Sequence, residues 1–177
     1  MNTSTPSWST VDTHLGPFSA VVAGDGAVLA SGWTADLTEL LDVIAPSLRQ
    51  AEPRYMPDLG AVTRAITRYH AGEPEAIDTI EVRQRSGAFL EHAWHVLRKV
   101  PAGEPVSYSA YAALAGHPAA VRAAASACAR NAAALFVPCH RVLRGDGSLG
   151  GFRWGVDIKR RLLDHEQRYR PHGAGHD

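Results

Sequence analysis

The stretch from Leu135 to Leu143, with the sequence LFVPCHRVL, constrains the fold more than any other part of the chain. A short apolar run such as Leu135–Val137 is typical of a strand that is buried on both faces. Pro138 has no backbone N–H to donate, so it ends such a strand and turns the chain. We therefore expect Cys139 to lie at the end of a rigid element, on the floor of a cleft.

A cysteine followed directly by a histidine has two interpretations. A thiol is a nucleophile only as thiolate, and its ordinary pKa of about 8.5 must be lowered by a nearby base or positive charge. His140 and Arg141 are adjacent in sequence to Cys139 and offer such groups. The alternative is a buried structural cysteine beside a surface histidine, and the pair by itself favours that alternative. The sequence around the pair has to distinguish between these two interpretations.

The composition indicates a globular chain of 177 residues, which suits one domain or a small domain joined to a medium one. No apolar run approaches the ~20 residues of a membrane span, and Met1–Thr13 is predicted to be a loose end and not a signal peptide. Two cysteines, Cys128 and Cys139, are too few for a disulfide framework or a cysteine-rich zinc site. We expect a cytoplasmic monomer without a structural metal and away from membranes.

Charge is unevenly distributed although the net charge is zero. Residues 1–85 hold 6 Lys and Arg against 11 Asp and Glu, whereas residues 86–177 hold 12 against 7. A basic half that carries the cysteine motif fits a polyanionic partner such as DNA. A solvated basic face without a partner is the alternative, and counting charges does not exclude it.

The first half has the pattern of a small α/β unit, which we assign to residues 1–85 as a scaffold domain. Strands are predicted over Phe18–Ala23 and Ala27–Trp33, joined by a Gly-Asp-Gly hairpin turn. Apolar spacing predicts a helix capped by Asp36 and reaching about Leu48, with Pro46 limiting its continuity. A second helix is predicted over Asp58–Ala71 and a strand over Ile77–Val82.

The second half, residues 86–177, has mainly helical patterns. Ser86 is predicted to cap a helix that reaches Val100, and a turn at Pro101–Pro105 leads to a short helix over Ser107–Ala115. A further helix is predicted from Pro118 to about Arg130. Two helices joined by a glycine turn fit a helix-turn-helix, although many helical hairpins share this pattern. The predicted fold class is therefore α/β (α+β), an α/β scaffold followed by a mainly helical domain.

Alanine dominates the second of these two helices, with Arg122 as its earliest charge. Small side chains let a helix backbone approach another surface closely, and that surface is either protein or a groove of DNA. Alanine is also the strongest helix former, so composition leaves both interpretations open.

The run Pro-Cys-His-Arg-Val at Pro138–Val142 closely resembles the active-site signature of the O6-alkylguanine-DNA alkyltransferases, also called methylated-DNA–protein-cysteine methyltransferases. The resemblance extends from about Phe89 through Glu166, where Leu162–Glu166 resembles the family's closing Leu-Leu-x-His-Glu. It implies DNA repair by irreversible, single-turnover transfer of an alkyl group, mainly methyl, from O6-alkylguanine to Cys139. The resemblance further implies double-stranded DNA as partner, nucleotide flipping through a minor-groove helix-turn-helix, and no cofactor.

The same resemblance assigns roles to individual residues. The predicted catalytic residues are Cys139, His140, Glu166, Asn131 and Tyr108, with Glu166 orienting His140 and Tyr108 assisting the flipped nucleotide. The predicted DNA-binding residues are Arg122, which replaces the extruded base, with Ser109, His117, Ala119, Ala123 and Arg141. The predicted substrate pocket is formed by Tyr108, Val137, Phe152, Arg153 and Trp154.

Independent physical reasoning supports part of this assignment. Glu166 lies on the apolar face of a helix predicted over Val156–Gln167, where a carboxylate is costly unless it is paired. An imidazolium is a fitting partner, and Cys139, His140 and Glu166 then have the order nucleophile, base and orienter.

Two other functions compete with alkyl transfer. A module that binds damaged DNA without transfer is disfavoured by the presence of Cys139, and a turnover thiol hydrolase would need an oxyanion hole.

One departure from the family pattern concerns substrate size: Gly151-Phe152-Arg153-Trp154-Gly155 stands where relatives usually have Gly-Tyr-x-Gly-Gly. Trp154 is therefore predicted to narrow the space for large alkyl groups.

Overall fold

The computed structural model describes residues 5–49 and 51–170 and has an α+β fold, as predicted. Its strands are β1 (Ser7–Thr13), β2 (Gly16–Val22), β3 (Val28–Gly32), β4 (Arg54–Tyr55), β5 (Val106–Ser107) and β6 (Val142–Leu143). Its α-helices are α1 (Leu37–Leu41), α2 (Ala61–His70), α3 (Ala88–Leu97), α4 (Tyr108–Leu114), α5 (Val121–Ala129) and α6 (Val156–Arg168). No helix within the described ranges is long and apolar enough to cross a membrane.

The larger sheet has the strand order β3-β2-β1-β4, in which β1 and β2 form an antiparallel hairpin. The prediction of a loose end over Met1–Thr13 is wrong for Ser7–Thr13, which forms β1; Met1–Ser4 lies outside the described residues. The sequence did not predict this strand because it is rich in serine and threonine, whose hydroxyl groups bond across the sheet. The hydroxyls of Thr10 and Ser19, for example, are 2.7 Å apart.

One hydrophobic core is shared by both halves of the chain. The ring of Phe18 in β2 packs against that of Phe136, which follows α5, with 6.4 Å between centroids. Leu162 of α6 and Tyr69 of α2 are fully buried in the same core. The scaffold half therefore helps to position the segment that carries the cysteine.

Three predicted elements of the scaffold half and of the linker, predicted near Arg83–Gly87, differ from the structure. The helix after Asp36 stops at Leu41, and Pro46 starts a separate 3-10 turn. The strand predicted over Ile77–Val82 is wrong: a 3-10 turn covers Pro74–Ile77, and only Val82 bridges β3. The Ser86 cap is also wrong, because the helix begins at Ala88 and its N-cap, Gly87, makes no side-chain bond. In the first two cases a proline, Pro46 or Pro74, begins the 3-10 turn.

Leu135–Val137 is completely buried, as expected, but it is a turn and not a strand. Leu135 adopts φ = 78°, a left-handed conformation that a non-glycine residue takes only when its surroundings impose it. The hydroxyl of Ser31 donates to the carbonyl of Ala134 at 2.7 Å, and the N–H of Val137 donates to Ala133 at 2.9 Å. A bond from β3 to the residue before the run, and a bond within the turn itself, therefore replace the strand pairing that the apolar run suggested.

Helices α4 and α5 follow one another through a turn, and both predicted helices exist. Gly116, with φ = 84°, ends α4: its N–H donates to Ala113 and that of His117 donates to Ala112. The second helix begins at Val121 and not at Pro118, because the N–H of Ala120 closes a separate turn onto His117.

Candidate active site

Cys139 begins a short 3-10 turn, Cys139–Arg141, directly after Pro138. The chain then enters β6, which pairs in parallel with β5. Because β5 ends at Ser107, this pairing brings Tyr108, the first residue of α4, to the side of the cysteine. Two short strands thus join residues that are far apart in sequence. Cys139 is 8% exposed, so it is accessible only through the cavity beside it.

Glu166 of α6 is the centre of a buried network of hydrogen bonds. The pair His140 Nε2–Glu166 Oε2 is 2.8 Å apart, and Arg141 donates from Nε to Oε1 and from Nη2 to Oε2, both at 2.9 Å. Tyr69 of α2 donates its hydroxyl to Oε2 at 2.6 Å. His140 and Glu166 are both fully buried. The structure therefore brings together the predicted histidine and carboxylate, and adds two donors that were not predicted to act there.

The electrostatics of this network favour a neutral histidine and a charged carboxylate. Burial opposes the charged form of Glu166, but His140 and Arg141 outweigh it and hold the pKa of this carboxyl below its usual range. Burial lowers the pKa of His140, although Glu166 opposes that change. A neutral imidazole can accept a proton, and Nδ1 of His140 has no hydrogen-bond partner within the described residues.

Arg141 does not bind DNA in the way the sequence suggested. Its side chain is 3% exposed, and its guanidinium bonds the carboxylate of Glu166 and the carbonyl of Val100, the latter at 2.7 Å. An arginine that is paired and buried in this way cannot reach a phosphate, so we correct its role to one of support for Glu166.

A cavity of about 470 Å³ opens above Cys139. Four of the predicted pocket residues line it: Tyr108, Phe152, Arg153 and Trp154. Val137 does not; it is buried behind the cysteine, and its carbonyl accepts a hydrogen bond from Asn131 Nδ2 at 2.8 Å. The resemblance implied a place for Val137 in the pocket, but its side chain is buried in the core.

The thiol of Cys139 experiences opposing effects. Burial is the largest effect and raises its pKa above the ordinary value, so the lowered pKa expected from the sequence is not found; Asn131 and the charges of Lys159 and Arg153 only oppose this rise. Cys128, half-buried in α5, lines the same cavity, and burial raises the pKa of its thiol strongly. The two cysteines therefore differ in the polar groups around them, because Asn131 lowers the pKa of Cys139 and not that of Cys128.

Lys159 is a site residue that sequence reasoning missed. It is 1% exposed, and its Nζ donates to the carbonyl of Val142 at 2.9 Å. Burial lowers the pKa of this amine. The signal was present in the sequence, because Lys159, Leu162 and Glu166 are spaced to share one face of a helix.

Arg153 and Trp154 fix the loop that covers the cavity. Arg153 Nη2 donates to the carbonyl of Ala129 at 2.7 Å, at the end of α5. The indole of Trp154 packs against Gly32 of β3. The contact is so close that a Cβ on that glycine would overlap the ring. Trp154 thus contacts the scaffold half as well as the cavity.

The predicted DNA-binding residues lie mainly on one exposed part of α4, α5 and their turn. Exposed members are Ser109, His117, Ala119 and Arg122. Ala123 is half-buried, and the opposite face of α5 packs into the core through Ala124 and Ala127. The sequence alone left open whether α5 contacts protein or DNA. In the structure one face of α5 packs into the protein core, and the other face is exposed.

A thiol on the floor of an open cavity, with a histidine and a carboxylate behind it, is the arrangement of proteins that use cysteine as a nucleophile. A family model described as "6-O-methylguanine DNA methyltransferase, DNA binding domain" matches residues 88–168. The methylated-DNA--protein-cysteine methyltransferase of Mycobacterium tuberculosis is 33% identical over 167 residues, covering 93% of this chain and 94% of that protein. This chain therefore belongs to the methylated-DNA–protein-cysteine methyltransferase family.

Two further relatives extend the comparison. The bifunctional transcriptional activator/DNA repair enzyme Ada of Escherichia coli is 52% identical over 88 residues, which is 50% of this chain. This chain spans 25% of the length of Ada. A crystal structure of Mycobacterium tuberculosis OGT in complex with DNA superimposes with a TM-score of 0.71 at 28% identity, covering 93% of this chain and 95% of that one.

Proposed function

We propose that this protein repairs DNA by transferring an alkyl group, mainly methyl, from O6 of guanine to Cys139. One observation carries the proposal: the thiol lies on the floor of a cavity of about 470 Å³, with a buried histidine and carboxylate behind it. The Mycobacterium tuberculosis relative is named for transfer from methylated DNA to a protein cysteine, and it covers nearly the whole chain.

In the proposed step the sulfur of Cys139 attacks the alkyl carbon. A carbon–sulfur bond forms, the bond between that carbon and O6 breaks, and its electron pair stays on guanine. The thioether product cannot return to a thiolate by itself, so each molecule acts once. The proposed reaction needs no cofactor, because the substrate supplies the alkyl group and the protein supplies the nucleophile.

Proton movements involve groups on both sides of the sulfur. His140 is neutral because burial lowers its pKa, so its Nδ1 can take the thiol proton while Glu166 holds Nε2. Asn131 beside the cavity lowers the pKa of Cys139 and so favours the thiolate. Burial raises the pKa of Tyr108, which keeps its hydroxyl protonated as a donor to the departing guanine. Exchange with solvent then returns His140 to its neutral form and Tyr108 to its protonated form, so the net step moves one proton from the thiol to guanine.

A guanine inside a duplex cannot reach Cys139, so the nucleotide must be extruded at a cost of a few kcal/mol. Arg122, exposed near the start of α5, is our candidate for the side chain that fills the vacated stack. Ser109, His117, Ala119 and Ala123 are our candidates for further contacts with double-stranded DNA, through the α4–α5 pair used as a helix-turn-helix. The related Mycobacterium tuberculosis protein has been crystallised with DNA, which supports this partner.

We also propose a cytoplasmic location. A reducing compartment keeps cysteines as thiols, and both Cys128 and Cys139 are free. The proposed chemistry requires that state, because a disulfide at Cys139 would block the attack.

Intact-mass measurement after incubation with a duplex containing O6-methylguanine tests the function. We expect the gain of one methyl group, mapped by peptide sequencing to Cys139 and not to Cys128, and no gain with unmodified duplex. Cys139→Ala should lose transfer yet bind the damaged duplex, because α5 and Arg122 are unchanged. Methyl transfer by Cys139→Ala would contradict the proposal.

A further inference from the structure

Gln84 lies in the segment that joins the scaffold half to α3, and its side chain reaches the active site. Its Oε1 accepts a hydrogen bond from the backbone N–H of Ala132 at 2.9 Å. Its Nε2 donates to Oδ1 of Asn131, also at 2.9 Å. Both ends of the carboxamide are therefore bound to consecutive residues after α5.

The direction of each hydrogen bond follows from the chemistry of the backbone partners. The N–H groups of Ala132 and Ala133 can only donate, so the atoms they approach, Gln84 Oε1 and Asn131 Oδ1, must be oxygens. The carbonyl of Val137 can only accept, so the atom of Asn131 that faces it must be the nitrogen. Exchanging oxygen and nitrogen in either side chain would oppose donor to donor or acceptor to acceptor.

Asn131 is the residue whose orientation matters for the reaction. It is 5% exposed and lines the cavity together with Cys139. Its NH2 group donates to the carbonyl of Val137, two residues before Cys139, and an amide donor on this side of the cavity lowers the pKa of the thiol. An exchanged amide would present a carbonyl oxygen to the sulfur and would disfavour the thiolate instead.

We infer that Gln84 is a positioning residue: it holds the carboxamide of Asn131 with the NH2 group toward Cys139 and so sets the reactivity of the thiol. The inference rests on the proposed function, in which Cys139 is the alkyl acceptor. It also gives the segment between the two halves of the chain a role in the chemistry, since Gln84 lies two residues after the bridge of Val82 to β3.

A matched control is available at the same junction. Arg83, the neighbour of Gln84, pairs with Asp25 of the β2–β3 turn through Nη2 and Oδ2 at 2.6 Å. Arg83→Ala removes a contact between the linker and the scaffold half but leaves every bond of Gln84 and Asn131. It therefore reports what a merely structural disturbance of the linker does.

Two substitutions test Gln84. Gln84→Ala removes both hydrogen bonds, whereas Gln84→Glu keeps an acceptor for Ala132 and replaces the donor to Asn131 with a carboxylate oxygen. For wild type and the three variants we would measure the rate of Cys139 alkylation by iodoacetamide against pH, with the site assigned by peptide mass, and thermal unfolding. Single-turnover methyl transfer from O6-methylguanine DNA would be measured on the same proteins.

For Gln84→Ala we expect the midpoint of the iodoacetamide profile to rise by about half a pH unit and methyl transfer at neutral pH to fall about threefold to tenfold. Gln84→Glu should lose at least as much, and Arg83→Ala should keep the wild-type midpoint. Midpoints that are equal in wild type and both Gln84 variants would overturn the inference, and so would equal shifts in Arg83→Ala. If wild type takes no methyl group, the proposed function fails, whereas the iodoacetamide profiles still decide the role of Gln84.

Discussion

The hydroxyl of Tyr69 donates a hydrogen bond to Oε2 of Glu166 at 2.6 Å, and both side chains are fully buried. Tyr69 belongs to α2 of the scaffold half, whereas Glu166 belongs to α6. The carboxylate that orients His140 is therefore held from both halves of the chain. The sequence analysis assigned this half as a scaffold domain and no site residue to it, whereas the structure places the hydroxyl of Tyr69 in the network.

Tyr69→Phe tests this contact. Losing the bond should lower the free energy of unfolding by about 1 kcal/mol, as measured in urea. Glu166 should then interact more strongly with His140 and raise its pKa, so the rate of transfer on the acid side should begin to fall at a higher pH. Tyr111→Phe is the control, because its hydroxyl bonds the carbonyl of Ala93 at 2.6 Å, away from the site. The same pH profile in both variants would contradict a role for Tyr69 in the network.

Trp154→Gly tests whether the indole limits the size of the alkyl group. The ring lines the cavity and lies on Gly32, so its removal should enlarge the pocket and speed transfer from O6-benzylguanine, while methyl transfer is retained. The lost packing should cost about 2 kcal/mol of stability.

Gly32→Ala is the complementary variant, because the added Cβ displaces the indole toward the cavity without removing it. We expect slower benzyl transfer in that protein than in wild type. Slower benzyl transfer by Trp154→Gly, with methyl transfer intact, would instead mean that the indole stacks on the benzyl ring.

Arg122→Ala tests nucleotide extrusion. If Arg122 fills the vacated stack, repair of O6-methylguanine in duplex DNA should slow by about tenfold or more. Reaction with the free base O6-benzylguanine, which needs no extrusion, should be unchanged. Arg68→Ala, an exposed arginine of α2 paired with Glu73, should affect neither substrate. Equal losses on both substrates would point to a folding defect in the Arg122 variant.

His70 of α2 should make the protein sensitive to mild acid. Burial lowers the pKa of His70 from 6.5 to about 4. Between these values the unfolded chain binds a proton that the folded chain does not, so stability present above pH 6.5 is lost as the pH falls toward 4. Partial exposure of His70 reduces the expected loss to about 2 kcal/mol.

Urea unfolding at several pH values measures this effect in wild type and in His70→Phe, which keeps an aromatic ring but has no titrating group. The variant should lose less stability in this pH range than wild type does. His92→Gln, at an exposed position of α3, is the control and should follow the wild-type curve. An unchanged acid loss in His70→Phe would assign the sensitivity to other groups, with His14 and His140 as the first candidates because burial lowers the pKa of both.

The sequence by itself determined the fold class, the position of most helices and several of the residues that lie around Cys139. Local signals are sufficient there: the Asp36 cap, the glycine turn at Gly116 and the apolar spacing of α6 depend on neighbouring residues. A partner could be predicted for the carboxylate of Glu166, because an unpaired charge on an apolar helix face is costly. The division of the chain at residue 86 remains a prediction.

Only the tertiary structure decided which side chains meet and which are hidden. Leu135–Val137 is a turn because β3 binds Ala134 just before it and Val137 bonds back to Ala133. Arg141 supports Glu166 because that carboxylate faces it in the core. Gln84 contacts Asn131 although the two are 47 positions apart. Such contacts depend on how distant segments pack, and no local propensity or periodicity encodes them.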